Sequence, residues 1–176
     1  MFLLTPQPLI NIHIVIKDNI FFMNDYLGFY NNLVKLTRNK DLYKDFTEND
    51  EFSDRLIFFL IHLAFFFKVY KNKENKDSLQ DIYDFIFKQL ELSIREIGYG
   101  DQSINKKMKD YLNTFHSMLD KFHFWEDLDF DQKKNEIGKF VQKSKNQSNL
   151  IEYLDKYMIL LKNNTLNSYL KSVINP

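Results

Sequence analysis

Apolar residues recur every three to four positions along most of the chain, the period of helices that bury one face. Asn24 or Asp25 is placed to cap a first helix carrying Leu27, Tyr30, Leu33, Val34 and Leu36. A short turn is predicted around Leu42, Tyr43 and Phe46. Thr47, Asn49, Asp50 and Ser53 are candidate caps for a second helix that ends near Tyr70. That helix contains an apolar run of twelve residues, Leu56 to Phe67, interrupted only by His62, against the roughly 20 needed to span a bilayer. A short run that is apolar around most of its circumference predicts the central buried helix of a globular domain.

Lys71 to Lys76 is a polar connector, and Ser78-Leu79-Gln80-Asp81 reads as a capping box for a third helix. Its stripe is Leu79, Ile82, Ile86, Leu90, Ile94 and Ile97, and Gly98 stands where a left-handed residue would end it. Ser103 is a candidate cap for a fourth helix, striped by Met108, Tyr111, Leu112, Phe115, Leu119 and Phe122. His123 to Asp131 reads as an acidic, aromatic linker. Weaker helical patterns follow near Lys133–Lys143, Leu150–Lys162 and Thr165–Val173. No segment alternates with period two, and no internal repeat is present. The expectation is all-α: a single domain of five to seven helices over residues 24–176, built around the central hydrophobic helix. Residues 1–23 lack the basic opening and cleavage site of a signal peptide. They are read as an N-terminal extension, with Met23 as an alternative start.

Composition narrows the function classes. The chain has 176 residues and no Cys, so disulfides, thiolate metal sites and Cys nucleophiles are excluded. The 24 basic and 24 acidic residues cancel, which argues against an overall electrostatic grip on nucleic acid. Lys outnumbers Arg 21 to 3. Where Lys serves for nearly every solvated cation, the arginines Arg38, Arg55 and Arg95 stand out, because Arg is irreplaceable in planar, forked contacts.

Candidate chemistry is sparse. Gly98-Tyr99-Gly100 follows a helix rather than a strand, and Asp101 would repel phosphate, so a nucleotide cradle is rejected. His116, Asp120 and His123 share one helix face. A solvated polar face is preferred there over a metal site. His62, inside the apolar run, is read as a buried neutral imidazole bonded to a carbonyl in preference to a haem ligand. The lysines at 106, 107 and 109, and those at 133, 134, 139, 143 and 145, are read as solvated helix faces, with ribosomal RNA or anionic lipid as the alternative. No catalytic constellation stands out.

One stretch is recognisable. Arg95-Glu96-Ile97-Gly98-Tyr99-Gly100-Asp101, followed by Ile104 and Lys106-Lys107-Met108-Lys109, resembles the signature of the ubiquinol–cytochrome c chaperone family, Arg-Glu-Met-Gly-Val-Gly-Asp and then a Lys/Arg-Met-Lys run. Tyr30 to Arg38, Leu42-Tyr43, Arg55 and His62-Leu63 are similar to further family features in order and spacing. The similarity spans residues 24–122. It departs at Phe115-His116-Ser117-Met118, where the family often has Phe-Tyr/His-Gly-Arg.

The resemblance implies a non-enzymatic assembly factor for the cytochrome bc1 complex, with no cofactor. It would bind newly made cytochrome b, a partner assembly factor or the ribosome exit region. Its expected place is the cytoplasm of an alphaproteobacterium, peripheral at the inner membrane, or alternatively the mitochondrial matrix. Arg55, Arg95, Glu96, Gly98, Gly100, Asp101, Lys106, Lys107, Met108 and Lys109 would form the client or partner surface, with Met108 and Met118 offering apolar contacts. The rival readings are a helical carrier of haem or quinone around His62 and a generic protein–protein adaptor.

Overall fold

The run from Leu56 to Phe66 has no polar face to present to solvent, so it can be stable only if other helices enclose it. A computed structural model, which describes residues 26–43, 52–142 and 147–174, shows that enclosure. Helix α1 (26–36) leads to a 3-10 turn, Lys40–Tyr43. Then come α2 (Phe52–Tyr70), α3 (Lys76–Glu96), α4 (Asp101–Phe122), a 3-10 turn at Trp125–Asp127, α5 (Phe130–Gly138), α6 (Ser148–Lys162) and α7 (Leu166–Ile174). Among the described residues there are seven α-helices and no strand. The expectations for Asn24, Asp25, Phe46, Thr47, Asn49, Asp50, Lys143 and Lys145, and for residues 1–23, lie outside the described residues.

Helix α2 is the axis, buried from Phe58 through Phe66 on every face. Its most extensive partner is α4. Phe65 stacks on Phe122 at 5.0 Å between ring centres and meets Trp125 edge-on at 5.1 Å. On another side Phe29 of α1 lies 4.3 Å from Phe66. Ring pairs of this kind add roughly 0.5–1.5 kcal/mol beyond the area they bury.

The pairs also fix direction. Phe67 meets Tyr83, while Tyr30 touches both Phe59 and Ser93. Moving back along α2 is therefore moving forward along α3, so the two are antiparallel. Tyr83, in the first half of α3, meets Phe115, in the second half of α4, while the end of α3 and the start of α4 are joined through residues 97–100, which makes α3 and α4 antiparallel. The C-terminal helices are pinned by Asp155 of α6, which accepts from Trp125 Nε1 at 2.7 Å and from Lys133 Nζ at 2.9 Å.

Several local expectations shift. Helix α3 starts at Lys76, so Ser78 lies inside its first turn rather than at a cap. Asn75 holds the entrance instead: its side-chain amide donates to the Tyr70 carbonyl, and its backbone N–H donates to Asn72 Oδ1. Likewise α4 starts at Asp101, with Gly100 at its cap and Ser103 already helical. Both serines lost to an earlier start that the backbone reached without a side-chain cap. The acidic linker is a 3-10 turn running into α5, whose Asp129 and Gln132 form a reciprocal capping box. In α1 the buried face is Tyr26, Phe29 and Leu33, which leaves Leu27 exposed. Ile97, expected on the α3 stripe, is 53% exposed because the helix has ended by then.

Candidate functional site

Helix α3 ends at Glu96, and the chain turns by putting Gly98 at φ +98°. A Cβ there would be strained in the left-handed region, so glycine suits the position. Gly98 donates its N–H to the Arg95 carbonyl at 2.9 Å. Two residues later Gly100 is extended (φ −71°, ψ 155°), and its carbonyl accepts the first α4 bond, from Ile104 N–H at 3.0 Å. Ile94 and Ile104 are both buried and anchor the two sides of the corner.

Polar side chains crown this joint. The Arg95 guanidinium bridges two carboxylates. Its Nε and Nη2 donate to Glu91 Oε1 at 3.0 and 2.8 Å, while Nη1 donates to Asp101 across the turn. These bonds hold the Glu91 carboxyl below its ordinary range and raise Arg95 further. Asp101 also sits in the first turn of α4, where the helix dipole favours a negative charge. Lys107 lies 4.4 Å from the centre of the Tyr99 ring, a cation–π contact.

The sequence-predicted residues are thus partly gathered. Arg95, Glu96, Gly98, Gly100, Asp101, Lys106 and Lys109 are exposed at the corner, and Lys107 is half-exposed. Arg55 is exposed near the start of α2, and the antiparallel register sets it level with the end of α3, at the same end of the bundle. Of the two methionines, only Met118 is closed to a partner. Met118 is fully buried, and Met108 is half-buried against the core, because the α4 face that carries them packs inward. Glu91, the second carboxylate on Arg95, was not foreseen. Its only sequence signal is the i, i+4 spacing to an arginine.

At the opposite end an open groove of about 1210 Å³ lies between the C-terminal part of α2, the start of α3 and the end of α4. Sequence reading did not single it out, since its lining is contributed by three helices far apart in the chain.

His62 is buried, as expected of a satisfied core histidine. Nδ1 faces the Phe58 carbonyl at 2.6 Å, and a carbonyl can only accept, so Nδ1 carries the proton. Nε2 therefore accepts from the Tyr153 hydroxyl at 2.8 Å. Burial pushes the imidazole pKa down to about 4. The lone pair that a haem iron would need is engaged by Tyr153, so this site does not fit an axial ligand. His116 lies parallel to the Tyr83 ring at 6.1 Å. Among the described residues no group of three or more His, Asp or Glu is placed to hold a metal ion. No helix among them is long and apolar enough to cross a membrane.

The fold is an all-helical domain in which a glycine turn between α3 and α4 sets out a cluster of exposed polar residues. The model of the family described as Ubiquinol-cytochrome C chaperone matches residues 44–122, just under half of the chain, and over that stretch the chain is similar to this family. The match ends where α4 ends and takes in α2, α3 and the corner between α3 and α4. It supports a chaperone role in assembly of the bc1 complex. No curated protein and no solved structure matches.

Proposed function

We propose that the chain is a non-enzymatic chaperone for assembly of ubiquinol–cytochrome c reductase and that the α3–α4 corner is its docking surface for newly made cytochrome b or for a partner assembly factor. The supporting observation is a coincidence of sequence and geometry. The family-matched region encloses a corner whose polar groups face solvent instead of closing the core. The guanidinium of Arg95, with Glu91 and Asp101 on either side, gives that surface a fixed charge pattern. Rim charges of this kind govern partner choice and encounter more than raw affinity.

The test is affinity capture of the tagged chain from cells synthesising cytochrome b, paired with a deletion strain. Recovery of cytochrome b or an assembly factor, lost in an Arg95→Ala, Asp101→Ala variant that keeps its Tm, is the expected result. Unchanged bc1 levels in the deletion strain, with neither protein recovered, would sink the reading.

A further inference from the structure

The groove at the far end of the bundle has a floor and a rim of different chemistry. Its floor is Phe67, Leu79, Tyr83, Phe115 and Leu119. Leu79 and Tyr83 are one turn apart on α3, and Phe115 and Leu119 are one turn apart on α4, so the floor is a trough between two antiparallel ridges. Phe124, at the mouth, is 63% exposed, the most exposed of the large apolar side chains among the described residues. The rim is Lys71 and Lys73 on the connector from α2 to α3 and Lys76 at the first position of α3, all exposed, and none forms an ion pair with another described residue. Lys68 is used internally, bonded to Glu126 at 2.8 Å and to the His123 carbonyl at 3.0 Å. Asp120 is the single carboxylate in the lining.

Size and charge point to one kind of occupant. The trough exceeds the roughly 300–1,000 Å³ usual for small-molecule pockets. An aromatic and aliphatic trough between two helices accepts the apolar face of a third helix, read through anchors at i, i+3/i+4 and i+7. The three lysines on one edge select a helix whose polar flank is acidic. We infer that this groove docks an amphipathic helix with acidic flanks, presented by a partner polypeptide, as a second interaction surface separate from the corner. The inference stands apart from the bc1 reading, because it uses no residue of the corner.

The test uses the full chain and a fluorescein-labelled peptide of about 18 residues, with Leu and Phe anchors on one face and Glu flanks. Controls are the same peptide with Lys flanks and one with scrambled anchors. Fluorescence anisotropy is expected to show binding of the Glu-flanked peptide alone. The variant Lys71→Glu, Lys73→Glu, Lys76→Glu, altered only at exposed positions, should weaken that binding about tenfold or more and favour the Lys-flanked peptide. Arg95→Lys should leave it unchanged, which separates this result from any failure at the corner. Equal binding of all peptides, or indifference to the triple reversal, would overturn the proposal. So would the absence of peptide binding together with lysine-dependent flotation on phosphatidylglycerol vesicles, which would assign the surface to lipid.

Discussion

The sharpest test of the corner compares two glycines two residues apart. A Cβ built on Gly98 or on Gly100 meets nothing within 4 Å, so neither substitution creates a clash. The difference is backbone alone: φ is +98° at Gly98 and −71° at Gly100. In the left-handed region an L side chain costs roughly 1–2 kcal/mol, whereas an extended residue carries no such penalty. For a chain of this length, 1 kcal/mol moves Tm by about 2–4 °C. Gly98→Ala is therefore expected to lower Tm by roughly 2–8 °C, Gly98→Val by more, and Gly98→Asn by less, because Asn tolerates this region. Gly100→Ala should change Tm little: Ala is a poorer cap than Gly, but it also restricts the unfolded chain. Thermal unfolding followed by far-ultraviolet circular dichroism resolves these shifts, with urea unfolding as the check on two-state behaviour. Equal losses for Gly98→Ala and Gly100→Ala, or Asn no better than Val at position 98, would show that the turn is not held by that dihedral.

Other outcomes follow from the core and the rim. His62 has a folded pKa of about 4 against an ordinary 6.5, so the unfolded chain binds more protons between those values. Stability is full above pH 6.5 and falls as the pH drops toward 4, by about 3 kcal/mol in all. Urea midpoints across that window should decline more steeply for the native chain than for His62→Gln, and parallel slopes would refute the assignment. Tyr153→Phe removes the donor to His62 Nε2 and should cost about 1–3 kcal/mol by urea unfolding. Arg95→Lys should leave Tm essentially unchanged, since the group is exposed, yet reduce capture of the partner, because an ammonium cannot span Glu91 and Asp101 with one planar fork.

Most of the fold was legible because burial imposes period. The stripe Leu79, Ile82, Ile86, Leu90 and Ile94 is buried throughout, and the run in α2 is central as its lack of a polar face demanded. Gly98 was legible because a helix stop with positive φ has few residue choices. Caps were less legible. Ser78 and Ser103 have the right chemistry, but many positions near a helix start do, and the chain began each helix two or three residues earlier. Met118 was read as outward but is buried, because Met suits a core gap as readily as a surface, and only packing decides. The groove left no local pattern at all, since its floor is shared by residues 67, 79–83 and 115–119.

The corner holds residues of two kinds, and separating them carries the functional argument. Gly98, Ile94 and Ile104 answer to the fold: one permits the turn, and the other two are buried beneath it. Arg95, Glu91, Asp101, Lys107 and Tyr99 do not answer to it in the same way, because their contacts are solvated, and solvated ion pairs contribute little to stability. A chain that uses Lys 21 times could have placed a Lys at position 95 at no cost to folding. It instead holds a planar guanidinium between two carboxylates, a geometry that fixes where charge is presented. If the corner docks a partner as proposed, Arg95→Lys is expected to lose that contact while keeping its Tm, whereas the glycine variants lose stability first.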